Sequence, residues 1–516
     1  MSSVVDKIKE LKDSLGPNKV FEDKATRIAH RMAHSPEILL HKDRTNDFLP
    51  DVVVYVEDTD DVVNTVKFAN KYKIPLIPQG GKISTEGSQG RKGAIAVSTI
   101  RMDKILEFDE ENKWVVVEPG IRVDHLGEFL EKRGHCRIEW PLTRSATVGG
   151  RIGTDGYNRW TGRWGRSKDT IIAVEMVLPD GNVSVFGEGS NKPLKSALGF
   201  NLKDLFIGSR GTLGIATKIW IKTPKLPAVE SFGYRAFSSM EDAVKTQIEL
   251  STDPLTSAWV WRTTQAPRAF LEQGKIVTGA EPPKEIISLL DFNFFGSSEK
   301  MVEMVRKRID EIAKKYGGFL SDKLPGEEQF GKMRFTNRDI ATNVQAAFVG
   351  TRPKTGERGG LWTPVDSVIP NSNVPQYLIE MNKSVREFES RYPGLSKHAV
   401  YIPGLSINCG INYLFFWESL IVDVPVFSRE FSNDYIQFYK DHANMVNRLG
   451  GTVSFVHGYA PREIEEELIK LDVGEQGYEV MKKIKKAFDP NNIMNPYVRF
   501  TEYEDDPIIR AIHEGR

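Results

Sequence analysis

The chain has 516 residues, 40% of them hydrophobic and 27% charged, with Lys+Arg and Asp+Glu both at 70. That length suggests about two to four domains, and the balanced charge gives no reason to expect nucleic acid as a partner. Two cysteines, Cys136 and Cys409, argue against a disulfide framework and for a reducing, cytoplasmic location; no signal peptide or membrane-spanning run is seen, and peripheral membrane attachment stays open.

Val4, Val5, Ile8, Leu11 and Leu15 recur at helical spacing, and Gly16-Pro17 stops that helix. Residues 20–47 are polar, with a break at Ser35-Pro36. Val52 to Val56 is a short β run, and Asp58 and Thr59 offer caps to a helix with Val62, Val66, Ala69 and Tyr72 on one face. Ile74 to Ile77 reads as a strand that empties into Pro78-Gln79-Gly80-Gly81-Lys82-Ile83-Ser84-Thr85-Glu86-Gly87. A strand followed by such a loop is a candidate phosphate cradle, although it is neither a P-loop nor a G-x-G-x-x-G turn. Read alone, the segment fits an ordinary crossover loop equally well.

Three short strands (Ala94 to Ser98, Ile105 to Phe108, Trp114 to Glu118) and a helix from Val123 to Lys132 lead to the stretch Ala146 to Gly181. It opens with Thr147, Gly149, Gly150, Gly153, Thr154 and Gly156. Small residues this dense let the backbone approach something flat or anionic and free backbone N–H groups to point at it. Ile171 to Leu178 then reads as a buried strand closed by Pro179-Asp180-Gly181. A third cluster, Gly208 to Thr217, holds Gly211, Gly214 and Ile215 and again runs into strand signals. Three clusters beside short strands predict one extended cofactor lying across several loops.

Beyond Pro227 the pattern becomes two β-α-β halves, which predict one antiparallel sheet with helices on one side. Residues 323–365 between the halves read as irregular, the texture of a binding loop. The aromatic runs Leu361 to Val365 and Leu414 to Trp417 fit either sheet core or a stacking surface for substrate. The chain closes with a strand leading to His457, a helix from Gly477 to Phe488, and Asp489 to Pro496.

The ordered set PQGGKISTEG, VVVEPGIRVDHL, ATVGGRIGTDG, WGRSKD, VEMVLPDG, GSRGTLGIATKIWI, VHGYA and FDPNNIMNP resembles the FAD-linked oxidoreductase family of vanillyl-alcohol oxidase and p-cresol methylhydroxylase. Order and spacing are most similar to its D-lactate dehydrogenase and glycolate oxidase branch. The match is good over residues 20–222 and the C-terminal segment and loose in the middle. The resemblance implies an α+β fold: an FAD-binding domain of two α/β subdomains (1–225), an antiparallel-sheet cap domain with helices on one side (226–455), and a segment (456–516) returning to the FAD domain. It implies that the loop Pro78, Gln79, Gly80, Gly81, Lys82, Ile83, Ser84 and Gly87 wraps the pyrophosphate. Pro141, Thr147, Gly149, Gly150, Gly153 and Thr154 would line the cofactor, Gly211, Gly214 and Ile215 would continue toward the adenine and ribose, and Asn495 with Pro496 would bring the C-terminus back.

Departures from the family pattern carry their own expectations. Lys82 stands near where some relatives have a histidine bonded to the flavin, so FAD is expected to be non-covalent. The branch's metal-binding histidines would fall near Ser406 and Tyr413 and its glutamate at Val456; none of the three suits zinc, so no metal is expected. The adjoining histidine is present as His457, a base of the right titration range for a substrate hydroxyl. Arg334 and Arg352 are candidates for a substrate carboxylate. The expected activity is oxidation of a 2-hydroxy acid by hydride transfer to FAD. A phenolic alcohol oxidase using Tyr413 and Tyr459 is the first alternative. A non-redox transferase resembling alkyl-dihydroxyacetonephosphate synthase, whose His-rich loop is missing here, and a flavin carrier are the others. The partners implied are a small-molecule substrate, an electron-acceptor protein or quinone, and a second copy in a homodimer.

Overall fold

The computed structural model describes residues 4–31, 46–84, 90–139, 144–268, 282–333, 360–392, 399–408, 412–423, 429–453 and 460–500. The chain forms two compact units. Met1–Asn158, Arg166–Lys225 and Val456–Arg516 make the first, and Arg159–Gly165 with Leu226–Phe455 the second.

In the first unit, helix α1 (Val4–Leu15) buries Ile8, Leu11 and Leu15. The polar stretch after it contains strand β1 (Val20–Phe21) and helix α2 (Lys24–Ala29), the latter capped by Asp23, which accepts from the Thr26 N–H at 2.9 Å. Elements this short leave no periodic trace in a sequence. Strand β2 (Val52–Tyr55), helix α3 (Thr59–Tyr72), strand β3 (Leu76–Gln79) and strand β4 (Ile95–Ser98) follow. The sheet order is β1-β2-β4-β3; β4 is parallel to both β2 and β3, and β1 is antiparallel at the edge. Asp58 caps α3 by accepting from the Asp61 N–H at 2.8 Å, and Val62, Val66 and Ala69 pack into the core with the sheet residues Val52, Val54, Ile95 and Val97. Each such buried valine or isoleucine contributes roughly 1.5–3 kcal/mol.

The same unit holds a second sheet of strands β5 (Ile105–Asp109), β6 (Trp114–Val117), β7 (Ile171–Val177), β8 (Val183–Gly187) and β9 (Ile215–Lys222), antiparallel throughout in the order β5-β6-β9-β7-β8. Helices α4 (Val123–Glu131) and α5 (Val148–Thr154) contribute Val123, Leu126, Val148 and Ile152 to its core. The C-terminal helix runs from Glu465 to Phe488, longer than its apolar face suggests, and bends at Gly474, where φ is 77°. Only glycine takes that conformation without strain.

The second unit is one seven-stranded antiparallel sheet. It contains β10 (Val229–Phe237), β11 (Val260–Pro267), β12 (Ser288–Gly296), β13 (Gly360–Pro370), β14 (Ala399–Asn408), β15 (Tyr413–Asp423) and β16 (Thr452–Val453), in the order β10-β12-β11-β14-β15-β13-β16. Helices α6 (Met240–Thr252), α7 (Glu299–Lys315), α8 (Val374–Arg391) and α9 (Arg429–Arg448) belong to the same unit. Successive side chains on a strand point to opposite faces. Leu290, Phe292 and Phe294 pack with Val302, Val305 and Ile309 of α7, and the Ser367 hydroxyl is 2.6 Å from the Tyr377 hydroxyl of α8, so one face is the helix-covered one. The fold is therefore α+β. One expectation is corrected here: the span 323–365 is not irregular to its end, because β13 begins at Gly360 and pairs with β15 along its whole length. Its two prolines, Pro364 and Pro370, hide the strand in the sequence. Among the described residues no helix is long and apolar enough to cross a membrane.

Candidate cofactor site

The parallel strand β3 ends at Gln79, and the chain turns directly onto the start of α5. One hydroxyl joins the two: Thr147 Oγ1 accepts from the Gly150 N–H at 3.3 Å and from the Gly81 N–H at 3.1 Å. The approach requires glycine. A Cβ on Gly80 would stand 2.3 Å from Thr147 Oγ1, and one on Gly81 would stand 2.6 Å from the Ser145 carbonyl oxygen. On the other side of α5, Gly149 lies against Pro119, to whose carbonyl its N–H donates at 2.7 Å, and the Val148 N–H donates to the Ile121 carbonyl at 3.0 Å. The first N–H groups of α5 are thus engaged within the chain. In this helix the glycines supply close approach rather than free donors.

The third glycine cluster closes on the same helix. The Arg210 N–H donates to the Gly153 carbonyl at 2.8 Å and the Gly208 N–H to the Ile152 carbonyl at 2.7 Å. Gly211, with φ of 71°, faces Pro78, whose Cγ would be 2.9 Å from an added Cβ. The C-terminal segment locks this arrangement. The Asn495 N–H donates to the Leu76 carbonyl at 2.8 Å, and its side-chain amide donates to the Arg210 carbonyl at 2.7 Å. Buried Lys485 donates to the carbonyls of Thr212 at 2.9 Å and Met494 at 2.7 Å and to the Asp489 carboxylate. Burial lowers the pKa of Lys485, and the Asp489 carboxylate opposes that shift.

Pro78, Gly80, Gly81, Thr147, Gly149, Gly150, Gly153, Gly211 and Asn495 therefore come together. Gly150 and Gly153, three residues apart, share one face of α5. A Cβ on Gly153 would meet nothing nearer than Arg210 Cα at 4.0 Å, and one on Gly150 would meet only Thr147 Oγ1, at 3.2 Å. This bare helix face is edged by the two other loops, and neither 78–84 nor 147–154 contains an acidic residue. Backbone without side chains or negative charge fits a flat ring joined to an anionic linker, as FAD is. Arg151 does not reach into this space: its guanidinium is buried, with Nε donating to Glu139 at 2.8 Å and Nη2 to the Gly156 carbonyl at 3.0 Å.

Other expected residues are placed differently. Thr154 turns its hydroxyl back onto its own helix, toward the Arg151 carbonyl at 3.2 Å. Ile215 sits in the apolar core, and Gly214 lies against the Val177 carbonyl. Ile83 packs on the core of the second sheet, beside half-buried Ser84. Lys82, at φ 55°, donates its ammonium to the Ala29 carbonyl at 2.6 Å, and burial lowers its pKa. Gln79 is held by a histidine that the sequence reading passed over. His30 Nδ1 donates to Gln79 Oε1 at 2.6 Å, His30 Nε2 accepts from the Tyr55 hydroxyl at 2.8 Å, and Gln79 Nε2 donates to the His30 carbonyl at 3.0 Å. Burial lowers the His30 pKa to about 4. Lys485 and Asp489 were likewise missed as site supports; their i,i+4 spacing on a helix end is the only sequence signal for the pair.

Gly87, Pro141, Arg334, Arg352, Val456, His457 and Tyr459 lie outside the described residues. In the second unit, Ser406 is buried on the helix-covered face, donating to Gln247 Oε1 at 2.6 Å. It pairs with Phe416, so Tyr413, three residues earlier on β15, points to the opposite face. Among the described residues no group of three His, Cys, Asp or Glu stands together to hold a metal.

Two family models match the chain: FAD binding domain over residues 50–187 and FAD linked oxidases, C-terminal domain over residues 226–498. The mitochondrial D-lactate dehydrogenase (cytochrome) of Arabidopsis thaliana is 27% identical over 453 residues, covering 87% of this chain and 73% of that protein. The glycolate oxidase subunit GlcD of Bacillus subtilis is 22% identical over 504 residues, covering 96% and 97%. The solved structure of p-cresol methylhydroxylase with substrate bound superposes with a TM-score of 0.74 at 16% identity over 96% of both chains, a likeness of fold.

Proposed function

The chain belongs to the FAD-linked oxidases and is an FAD-dependent oxidoreductase acting on CH–OH donors; from that premise we propose that its donor is a small 2-hydroxy acid of the lactate or glycolate kind, oxidised to the 2-oxo acid. The observation that carries the redox reading is the bare, acid-free face of α5 at Gly150 and Gly153, edged by two further loops. The donor class comes from the relatives whose names specify D-lactate and glycolate. Pro78, Gly80, Gly81, Thr147, Gly149, Gly150, Gly153, Gly211 and Asn495 would hold the cofactor. FAD, when bound there, would supply the hydride acceptor for the carbinol carbon. His457 takes the proton from the substrate hydroxyl oxygen as the C–H bond breaks, and Arg334 and Arg352 receive the carboxylate. A second protein or a quinone would be the final electron acceptor.

Non-covalent attachment is part of the same proposal. Lys82 is turned to the Ala29 carbonyl, and His30, the histidine beside the first loop, has both ring nitrogens engaged. Acid precipitation is expected to release the flavin; flavin that stays with the protein pellet refutes this.

One observation favours a phenolic alcohol as donor instead. Trp160, Trp164, Trp261 and Phe295 cluster in the second unit, with the Trp261 and Phe295 ring centroids 3.9 Å apart. Among the described residues the buried indole N–H groups of Trp164 and Trp261 have no hydrogen-bond acceptor, and a phenolic oxygen would supply one. Anaerobic mixing with D-lactate, glycolate and 4-hydroxybenzyl alcohol, followed by flavin bleaching, decides between the two. Bleaching by the hydroxy acids is expected; bleaching by the phenol alone replaces the first reading with the second.

A further inference from the structure

The segment between β8 and the third glycine cluster carries large apolar side chains on its outside. Leu194 is 60% exposed, Leu198 100%, Phe200 88% and Leu202 36%, all between residues 194 and 202. Single exposed leucines are ordinary on a protein surface, but such a run is not. The segment is built rather than frayed. The Ser196 N–H donates to the Glu188 carbonyl at 2.8 Å, the Gly187 N–H to the Ser190 carbonyl at 2.7 Å, and the Leu202 N–H to the Phe200 carbonyl at 2.9 Å. Ser190 Oγ donates to the Lys192 carbonyl at 3.0 Å. The two limbs touch so closely that a Cβ on Gly189 would stand 2.2 Å from the Ser196 carbonyl oxygen. The fold therefore holds these apolar groups in water at a continuing hydrophobic cost.

The geometry decides what covers them. A side chain as exposed as Leu198 or Phe200 has no neighbours forming a groove around it, so it stands as a convex tip. A lipid surface closes around such a tip without a matching shape. Exposed Lys192 and Lys195 lie in the same segment just before the tip, and the Lys195 side chain is 75% exposed. Glu188, 3.7 Å from Lys195, offsets part of that charge. We propose that residues 192–202 form a membrane-surface anchor: Leu194, Leu198 and Phe200 enter the boundary between headgroups and acyl chains of an anionic bilayer, and Lys192 and Lys195 meet its phosphates. Insertion contributes more than charge. The inference does not depend on the identity of the donor.

The test uses the full-length, FAD-loaded protein and flotation with phosphatidylcholine vesicles containing phosphatidylglycerol. The wild type floats with the vesicles. The double substitution Leu198→Ser/Phe200→Ser lowers the partition coefficient on the order of tenfold or more and leaves oxidation with a soluble dye acceptor unchanged. Lys192→Gln/Lys195→Gln weakens flotation less and removes its salt dependence. Phe200→Trp, which keeps the bulk of the tip, adds a fluorescence signal quenched by brominated lipid beyond that of the wild type. A wild type that stays off the vesicles, a double variant that floats equally well, or a Phe200→Trp protein with no added quenching overturns the proposal. So does a wild type that ignores vesicles but forms a dimer broken by the double substitution, which assigns the tip to a second copy.

Discussion

Replacing Gly153 by alanine has opposite expected effects on the apoprotein and the holoprotein. Gly153 lies within α5, its φ is not in the positive region, and an added Cβ would have its nearest neighbour, Arg210 Cα, at 4.0 Å. The methyl group meets no clash, and glycine to alanine in a helix gains roughly 0.5–1 kcal/mol. The apoprotein should therefore melt about 2–4 °C higher per kcal/mol gained. If FAD lies on this face, the same methyl group occupies cofactor space at a cost of about 1–3 kcal/mol, and Kd for FAD rises roughly 5- to 150-fold. Gly80→Ala is the contrast: its Cβ would stand 2.3 Å from Thr147 Oγ1, so it should lower apoprotein stability as well as FAD affinity. The assay is thermal unfolding of flavin-stripped protein beside fluorescence titration with FAD. A Gly153→Ala protein that is more stable and binds FAD as tightly as the wild type refutes the assignment of this face to the cofactor.

Four further outcomes are expected. His457→Asn keeps the bound-flavin spectrum and slows flavin reduction by about 10²-fold or more; stopped-flow reduction at the wild-type rate removes His457 from the mechanism. His30, with its pKa lowered by burial to about 4, is neutral when folded and protonates near 6.5 when unfolded. Stability from this group is fully present above pH 6.5, falls as pH drops toward 4, and amounts to up to about 3 kcal/mol. Urea unfolding across that window should show His30→Gln with a shallower acid slope, by up to one proton. Lys485→Met removes the cation of a buried pair and should cost about 3 kcal/mol, at the low end because Asp489 still accepts from the Ile493 and Met494 N–H groups; a loss under 1 kcal/mol in denaturant unfolding contradicts that role. Turnover should survive exhaustive chelation, since Ser406 and Tyr413 point to opposite faces of the sheet; loss restored by zinc or manganese reverses that expectation.

Local chemistry made several features legible from residue order alone. The cap at Asp58, the apolar stripe of α3 and the helix from Glu299 all formed where spacing placed them, because helix periodicity and capping act over four residues or fewer. The three glycine clusters, each beside short strands, likewise marked a backbone approached closely, since the absence of side chains is itself a sequence fact. Tertiary structure alone decided what the clusters do together. The bond from Gly81 to Thr147 spans 66 positions and that from Asn495 to Arg210 spans 285, and contacts at such separations leave no period to read. The same holds for His30 beneath Gln79, which lay in a stretch too short in its elements to read as anything but polar chain. It holds for β13, whose start inside the span read as irregular is set by eleven residues of pairing with β15. It also decided that the Val148 and Gly149 N–H groups at the start of α5 serve the carbonyls of Ile121 and Pro119: a donor turns to whichever acceptor folding brings within hydrogen-bond reach, and residue order does not name an acceptor that distant in the chain.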